Sequence, residues 1–389
     1  MSTGIRAIAT RRDADQGPQD DLLRPLDLQV RGGDAQGADG ALIVHQTRPA
    51  AYGWDVVRNS NTGPLLEPDA ADGHAGSLAI EGWMSLQTTQ RICALAGQDF
   101  DQLEKAATQK GFRAVPLALR ASVAVSNAVR RTVSSNVVGV LTGARQPDEV
   151  VLYIAHWDHF GRSLTVGPPN DAIFNGAVDN ATGVAGILEI AKAFRAGRRP
   201  DRSVVFLAVT AEESGLLGAA YYALHPLFPL AKSVAALNID AYYPVGRTHD
   251  VEVLGYGASE LEDYLKAAAA RDGRVLRPDS QPEKGHFFRA DNFKLSKVGV
   301  PSMYIEPGIE SREHPAGWIE AWSKDYVANR YYKPADEYDA AWDVSGSIEE
   351  LRLLQGVGAR AANDPHWPTW YADSEFRAVR EASLKAAAH

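Results

Sequence analysis

Residues 150–159, VVLYIAHWDH, decide how this chain is read. Val150–Ala155 is an unbroken apolar run of the kind seen in strands buried on both faces. It leads directly into His156, Asp158 and His159. Working outward, the same arrangement returns twice. Ser203–Thr210 (SVVFLAVT) reads as a second buried strand followed by Glu212 and Glu213, and Ser233–Ile239 (SVAALNI) as a third followed by Asp240. Asp179 lies in NGAVDNATG, just ahead of a helix expected over Gly183–Arg195. Ile187, Leu188, Ala191 and Phe194 are assigned to one side of that helix, with Gly197 as its stop. Ser259 and Glu262 suggest a capping box for a helix reaching about Arg271. Val300–Glu306 gives a late strand and Ile348–Ala362 a closing helix. Strands alternating with helices predict an α/β fold, with a mixed, mostly parallel central sheet and helices on both faces.

Four acidic or imidazole clusters thus follow strands or open a helix. Taken singly, an acid after a strand is usually a helix cap or a solvated turn. Four together point to one crevice, because ligands of open α/β sheets bind beyond the carboxyl ends of the strands. Carboxylate oxygens and imidazole nitrogens suit a divalent cation, and a shared carboxylate can hold two of them. Adjacent Glu212 and Glu213 offer one carboxylate for metal and one for proton transfer. Asp158 is read as the group that orients His156, since ligating histidines usually donate their other nitrogen to a carboxylate. His159 is read as structural.

The composition agrees with an ordinary globular protein: of 389 residues, 45% are hydrophobic and 23% charged. A net charge of −9 argues against a nucleic-acid partner. The lone cysteine, Cys93, excludes an intrachain disulfide and a thiolate cluster. No apolar run has the length of a membrane span. Upstream, ALIVH (41–45) reads as a strand, and helices are expected near Ser85–Gly97 and over Asp101–Lys110. LALRASVAVSNAV (117–129) alternates like a further strand.

The series AHWDH, NGAVDNATGVAGILEIA, RSVVFLAVTAEESGLLG and NID resembles the zinc peptidase family that includes bacterial co-catalytic aminopeptidases and glutamate carboxypeptidase, with glutaminyl cyclases as distant relatives. The resemblance implies a catalytic domain over 135–389. It implies that His156 and Asp240 each bind one zinc, that Asp179 bridges two, that Glu213 binds the second, and that Glu212 is the general base, with Asp158 supporting His156. The implied substrate is a peptide or aminoacyl amide. Two departures stand out. The family's late motif YHxPxDEYD reads YYKPADEYD here, putting Tyr332 where a ligand histidine belongs, and RSDHF reads RADNF, with Asn292 in place of a histidine. A neutral phenol is a poor zinc ligand, so a weakened second site, or a single-zinc enzyme, is expected. The alternatives are a catalytically impaired relative that binds peptides or a partner, and a single-zinc acyltransferase like the glutaminyl cyclases. Arg289 and Asp291 remain of the pocket motif as candidate substrate-binding residues. His314, in SREHPAGW, reads as a surface histidine.

GADGALIVHQTRPAAYGWDVV (37–57) resembles the protease-associated domain inserted in many members, which implies a partial domain of that kind over 37–134. Residues 1–36 fit neither pattern and read as disordered or frame-shifted. Back-translated with suitable codons and read one nucleotide later, Asp20–Gln36 can give MTYYGRWTYKFEEATR, like the motif that relatives carry at this point. The family is commonly exported, but this start does not reveal a location.

Overall fold

A computed structural model describes residues 39–61, 63–69, 78–163 and 171–387. The segment read as frame-shifted lies outside them. The chain divides into two compact units. The smaller falls within Met1–Arg58, Pro68–Val133 and Glu283–Phe288, and the larger within Asn59–Glu67, Ser134–Pro282 and Arg289–His389. No helix among the described residues is long and apolar enough to cross a membrane.

In the smaller unit ALIVH lies in strand β1 (Gly40–His45), which pairs in parallel with β2 (Ile80–Ser85). The Ser85 hydroxyl accepts from Thr88 N–H at 3.3 Å and so starts helix α1 (Leu86–Leu95). Asp99 accepts from Gln102 N–H at 2.9 Å and starts α2 (Phe100–Ala107). Each side-chain cap satisfies an amide that the first helical turn leaves unpaired. The expected strand over 117–129 does not form. Ala118 takes φ +53°, which breaks an extended run, and Val123, Val125 and Val129 are exposed. Alternation there has no pairing partner to complete it.

In the larger unit β3 (Val137–Leu141) and β4 (Gln146–His156) precede a short antiparallel pair, β5 (Gly161–Arg162) and β6 (Ile173–Phe174). Helix α3 (Thr182–Ala196), β7 (Arg202–Val209), α4 (Leu217–Leu224), β8 (Ser233–Asn238) and β9 (Asp250–Leu254) follow. The chain continues through α5 (Leu261–Arg271), β10 (Val275–Pro278), α6 (Asn292–Lys297) and β11 (Ser302–Pro307). It closes with α7 (Trp318–Asn329), α8 (Ser345–Ala361) and α9 (Arg377–Ala387). Among the described residues these strands make a seven-stranded sheet in the order β10-β9-β11-β8-β4-β7-β3. β4 lies parallel to both neighbours, β7 and β8, as do β11 to β8 and β10 to β9. The β3–β7 and β9–β11 pairs are antiparallel.

The period of two along β4 shows why its apolar run is unbroken. Val151, Tyr153 and Ala155 join one core with Ile187, Ile190 and Phe194 of α3 and Leu353, Leu354 and Val357 of α8. Val150, Leu152 and Ile154 join the other, with Ala219 and Tyr222 of α4 and Leu295 of α6. Both faces are covered, so Val150–Ala155 carries no charged side chain. α3 is turned slightly from the expected face: Gly183, Gly186, Ile187, Ile190 and Phe194 are buried, whereas Leu188 is 59% exposed. At α5, half of the expected capping box is present. Glu262 accepts from the Ser259 N–H at 3.5 Å and, more closely, from Gly257 and Ala258 N–H at 2.8 Å.

The packing of α8 on β4 is close. The Tyr153 hydroxyl donates to the Leu354 carbonyl at 2.9 Å, and a Cβ on Gly358 would lie 1.9 Å from that hydroxyl and 3.1 Å from Leu237 Cδ1. Gly358→Ala therefore sets a helix-propensity gain of ~1 kcal/mol against overpacking that costs ~1–3 kcal/mol. Because Tyr153 is fully buried and cannot swing away, net destabilisation is expected in urea unfolding. A midpoint at or above that of the parent chain would contradict this packing.

Candidate metal centre

The three buried strands β4, β7 and β8 end side by side, with His156 opposite Val209 and Ile154 opposite Asn238. Residues just beyond those ends therefore meet. His156 Nε2 lies 3.1 Å from Asp179 Oδ1, 3.3 Å from Asp240 Oδ1 and 4.0 Å from Glu212 Oε2. On the other side of Asp179, His159 Nδ1 stands 2.5 Å from Glu213 Oε1. Two sets of donor atoms result, His156–Asp179–Asp240 and His159–Asp179–Glu213, each with its atoms within 4.8 Å of one another. Asp179 belongs to both.

Local structure explains how each side chain is held. His156 Nδ1 faces the Asp158 main-chain carbonyl at 3.0 Å, which leaves Nε2 for the cluster. The Asp158 carboxylate is 3.8 Å from the same nitrogen. It accepts instead from the Glu212 and Glu213 amides, at 3.0 and 3.4 Å. Asp158 thus fixes His156 through its backbone and the two glutamates through its side chain. Asp179 interrupts the helical turn Ala177–Ala181 with φ −110° and ψ 90°, and the Asp179–Asn180 peptide is cis. Asn180 Oδ1 accepts from Gly183 and Ala241 N–H while its Nδ2 donates to the Ile239 carbonyl, tying this turn to the Asp240 loop.

A second anchor was not foreseen from the sequence. Asp336, in YYKPADEYD, accepts from Val178 and Asp179 N–H and from the Tyr326 hydroxyl, at 3.1–3.2 Å. It is fully buried and sets the position of Asp179 without being part of either donor set. His159, read as structural, stands in the second donor set. Its side chain is 6% exposed and packs against Phe160 and Tyr332. The signal that places it there is its position three residues after His156, just beyond the same strand end.

Tyr332 takes φ +56° and stacks on Tyr331 with ring centroids 4.1 Å apart. Burial, and then the negative charge of Glu213, raise its phenol well above the ordinary range, so it is held protonated. Arg289 is exposed, with Nη2 3.5 Å from the Tyr331 hydroxyl. Asp291 is buried, and its Oδ1 has no hydrogen-bond partner. Burial pushes its pKa up to about 8; His156 opposes this, and Asp240 and Asp158 add to it. Asn292 is also buried, at the start of α6. His314 lies on the surface, stacked on Trp318 at 3.8 Å, and belongs to neither donor set.

The electrostatics are those of crowded buried acid. Burial raises Glu212, Glu213 and Asp240 above their usual range, and neighbouring carboxylates add to each. Burial opposes protonation of His156, but Asp240, Glu212 and Asp179 outweigh it and raise its pKa well above the usual value. Asp179 is lowered despite its burial, through its hydrogen bond to His156 and the positive charge near it. Both His159 nitrogens are buried with no partner in hydrogen-bonding geometry, and the buried Glu213 carboxylate has the Tyr332 hydroxyl beside it. One imidazole nitrogen with two carboxylate groups is a donor set that fits a divalent cation, and each of the two groups of atoms supplies it.

A sequence profile of peptidase family M28 matches residues 136–354. Aminopeptidase NAALADL1 of Mus musculus is 33% identical over 131 residues, 32% of this chain and 16% of that protein. A probable zinc metalloprotease of Pyricularia oryzae is 43% identical over 89 residues, 23% of this chain and 17% of the relative. The chain spans less than a fifth of the length of either. Among solved structures, an aminopeptidase from Aneurinibacillus sp. strain AM-1 aligns with TM-score 0.49 and 18% identity, over 91% of this chain and 68% of that one. With more than half of its length matched to the profile, the chain belongs to peptidase family M28.

Proposed function

We propose that this chain is a zinc-dependent metallopeptidase of aminopeptidase type, hydrolysing peptide or aminoacyl amide bonds with water. The observation that carries the reading is the pair of donor sets sharing Asp179, with the Glu212 carboxylate beside them. The names of the relatives, an aminopeptidase and a probable zinc metalloprotease, agree with it. His156, Asp179 and Asp240 would hold one zinc, and Asp179 and Glu213 face the place of a second. When bound, zinc supplies Lewis acidity that polarises the scissile carbonyl and acidifies water.

The chain's own groups do the rest. Glu212 takes a proton from the attacking water as the new C–O bond forms. It returns that proton to the leaving nitrogen as the C–N bond breaks. Its partly enclosed position, with burial raising its proton affinity, suits a group that must both accept and release a proton. Asp158 holds Glu212 in place through its amide. Arg289 and Asp291, at the edge of the site, are assigned to binding the substrate. Tyr332, protonated, is assigned no metal.

Tyr332 also supports a second reading, a catalytically impaired relative that binds peptides. Aminoacyl-4-nitroanilide assays with added zinc separate the two, since zinc-loaded protein without turnover fits only the second. Within the first reading, Glu212→Gln should lower turnover by about 10²–10⁴-fold and leave the zinc content unchanged. Activity within a few-fold of the parent enzyme would remove Glu212 from its role.

Metal removal should show in the pH dependence of stability. Glu212, Glu213, Asp240 and Asp291 bind protons more tightly in the folded state than in the unfolded one, so the native state holds extra protons above the unfolded carboxylate range. Raising the pH through that window removes stability. His156, also raised, contributes stability that is complete below its unfolded pKa and is lost as pH rises through the folded one. Asp179, lowered, acts in the opposite sense and only at acid pH. In chelator, the melting temperature should therefore fall between about pH 5 and about pH 8. Zinc should reverse much of the fall at the alkaline end. A metal-free melting temperature that is flat or rising over this range would contradict the charge distribution described.

A further inference from the structure

We propose that His159 is a zinc ligand of this chain, completing with Asp179 and Glu213 the second metal site that Tyr332 leaves without its late histidine. The proposal deepens the zinc-peptidase reading and rests on it.

Three observations carry it. First, the His159 side chain is 6% exposed and that of Glu213 3% exposed, so neither turns to water. Second, both nitrogens of the imidazole are buried without a partner in hydrogen-bonding geometry, and the Glu213 carboxylate, equally buried, meets only the Tyr332 hydroxyl besides the imidazole. Third, His159 Nδ1 and Glu213 Oε1 nevertheless approach to 2.5 Å, with an Asp179 oxygen in the same group of atoms. An imidazole and a carboxylate packed as an ordinary buried pair would align a proton between them, because an unmade buried hydrogen bond is unfavourable. Here the two groups meet without that alignment, and a cation seated beside them would draw the two atoms apart and take up a lone pair of each. One nitrogen and two carboxylate groups are a donor set that zinc accepts.

The surroundings hold the ring in this pose. Gly176, at φ +62°, brings its backbone so close that a Cβ would lie 2.8 Å from His159 Cγ. Phe160 and Tyr332 pack against the other sides, with ring centroids 4.9 and 5.9 Å from the imidazole. Tyr332 itself meets Phe160 edge-on at 4.6 Å and stacks on Tyr331. The tyrosine in the histidine position thus serves as a wall of the site. It positions the replacement ligand.

The test is zinc stoichiometry and affinity, measured by elemental analysis and by titration against a chelator of known zinc affinity, for the parent chain and for His159→Asn. The parent should hold two zinc ions. The variant should hold one tightly, with the affinity of the other down by at least about tenfold, the least that loss of even a group behind a ligand produces. Unchanged stoichiometry and affinity in His159→Asn would overturn the proposal, and so would a parent chain that holds a single zinc. A parent chain that takes up no zinc would overturn the zinc-peptidase reading itself, which keeps the two failures distinct. If the variant does not fold, zinc K-edge absorption of the zinc-saturated parent decides. Equal numbers of imidazole nitrogens and zinc ions require His159 beside His156, and half as many imidazoles as zinc ions overturn its role.

Discussion

The constraint on which the rest depends is negative charge placed where water cannot reach it. Asp179, Glu212, Glu213 and Asp240 have side chains between 3 and 12% exposed, and they crowd around His156. An ionised carboxylate so buried is strongly unfavourable unless it is paired. His156 is the cation these four share, and the Arg289 charge reaches Asp179 besides. The fold has to hold that arrangement against its own repulsion, and the backbone shows it. Ala211 and Ala241 take left-handed φ of 54° and 50° immediately beside Glu212 and Asp240, and Tyr332 takes 56°. Each such residue costs about 1–3 kcal/mol and persists only where its surroundings leave no alternative. Asp158, Asn180 and Asp336 supply that restraint through main-chain amides of the ligand-bearing loops.

The parts legible in the sequence are those fixed by one-dimensional pattern. An unbroken apolar strand signals burial on both faces, and VVLYIA, SVVFLAVT and SVAALNI each became a strand of the central sheet. Their carboxyl ends then have to lie together, which is why pattern alone gathers His156, Glu212, Glu213 and Asp240 into one place. What failed needed a partner to decide it. The alternation over 117–129 met the requirement of a strand on its own side chains, but no neighbouring ladder completes it. On α3 the reading weighted large side chains and chose Leu188. The buried face instead runs through Gly183 and Gly186, whose small size lets the helix approach the sheet.

Roles inside the site were legible only in part, because sequence reports which groups are present and not which atoms they turn toward. Asp158 was read as a carboxylate supporting His156. Its main-chain carbonyl meets the imidazole, and its carboxylate holds the glutamates. Asp336 had no separate signal, since an acid in a loop ahead of a helix reads as a turn, and only the folded chain shows it accepting from the amides on which Asp179 depends.

Tyr332 and His159 illustrate the same difference at the level of a donor set. A motif fixes a residue type at a position in the chain, whereas a metal requires a lone pair at a point in space. A protonated tyrosine at 332 is a poor donor for a metal, and its presence says nothing about whether another group reaches the same point. β4 ends beside β7, so the loop that follows His156 passes the loop beyond β7 that carries Glu213. The ring three residues after His156 therefore arrives on the far side of Asp179, facing Glu213, while Tyr332 fills the volume behind it. A site at the junction of several strand ends draws side chains from more than one loop, and here Asp179 belongs to both groups of donor atoms. That property follows from the sheet: once adjacent strands end together, more side chains reach the centre than any single arrangement of ligands uses.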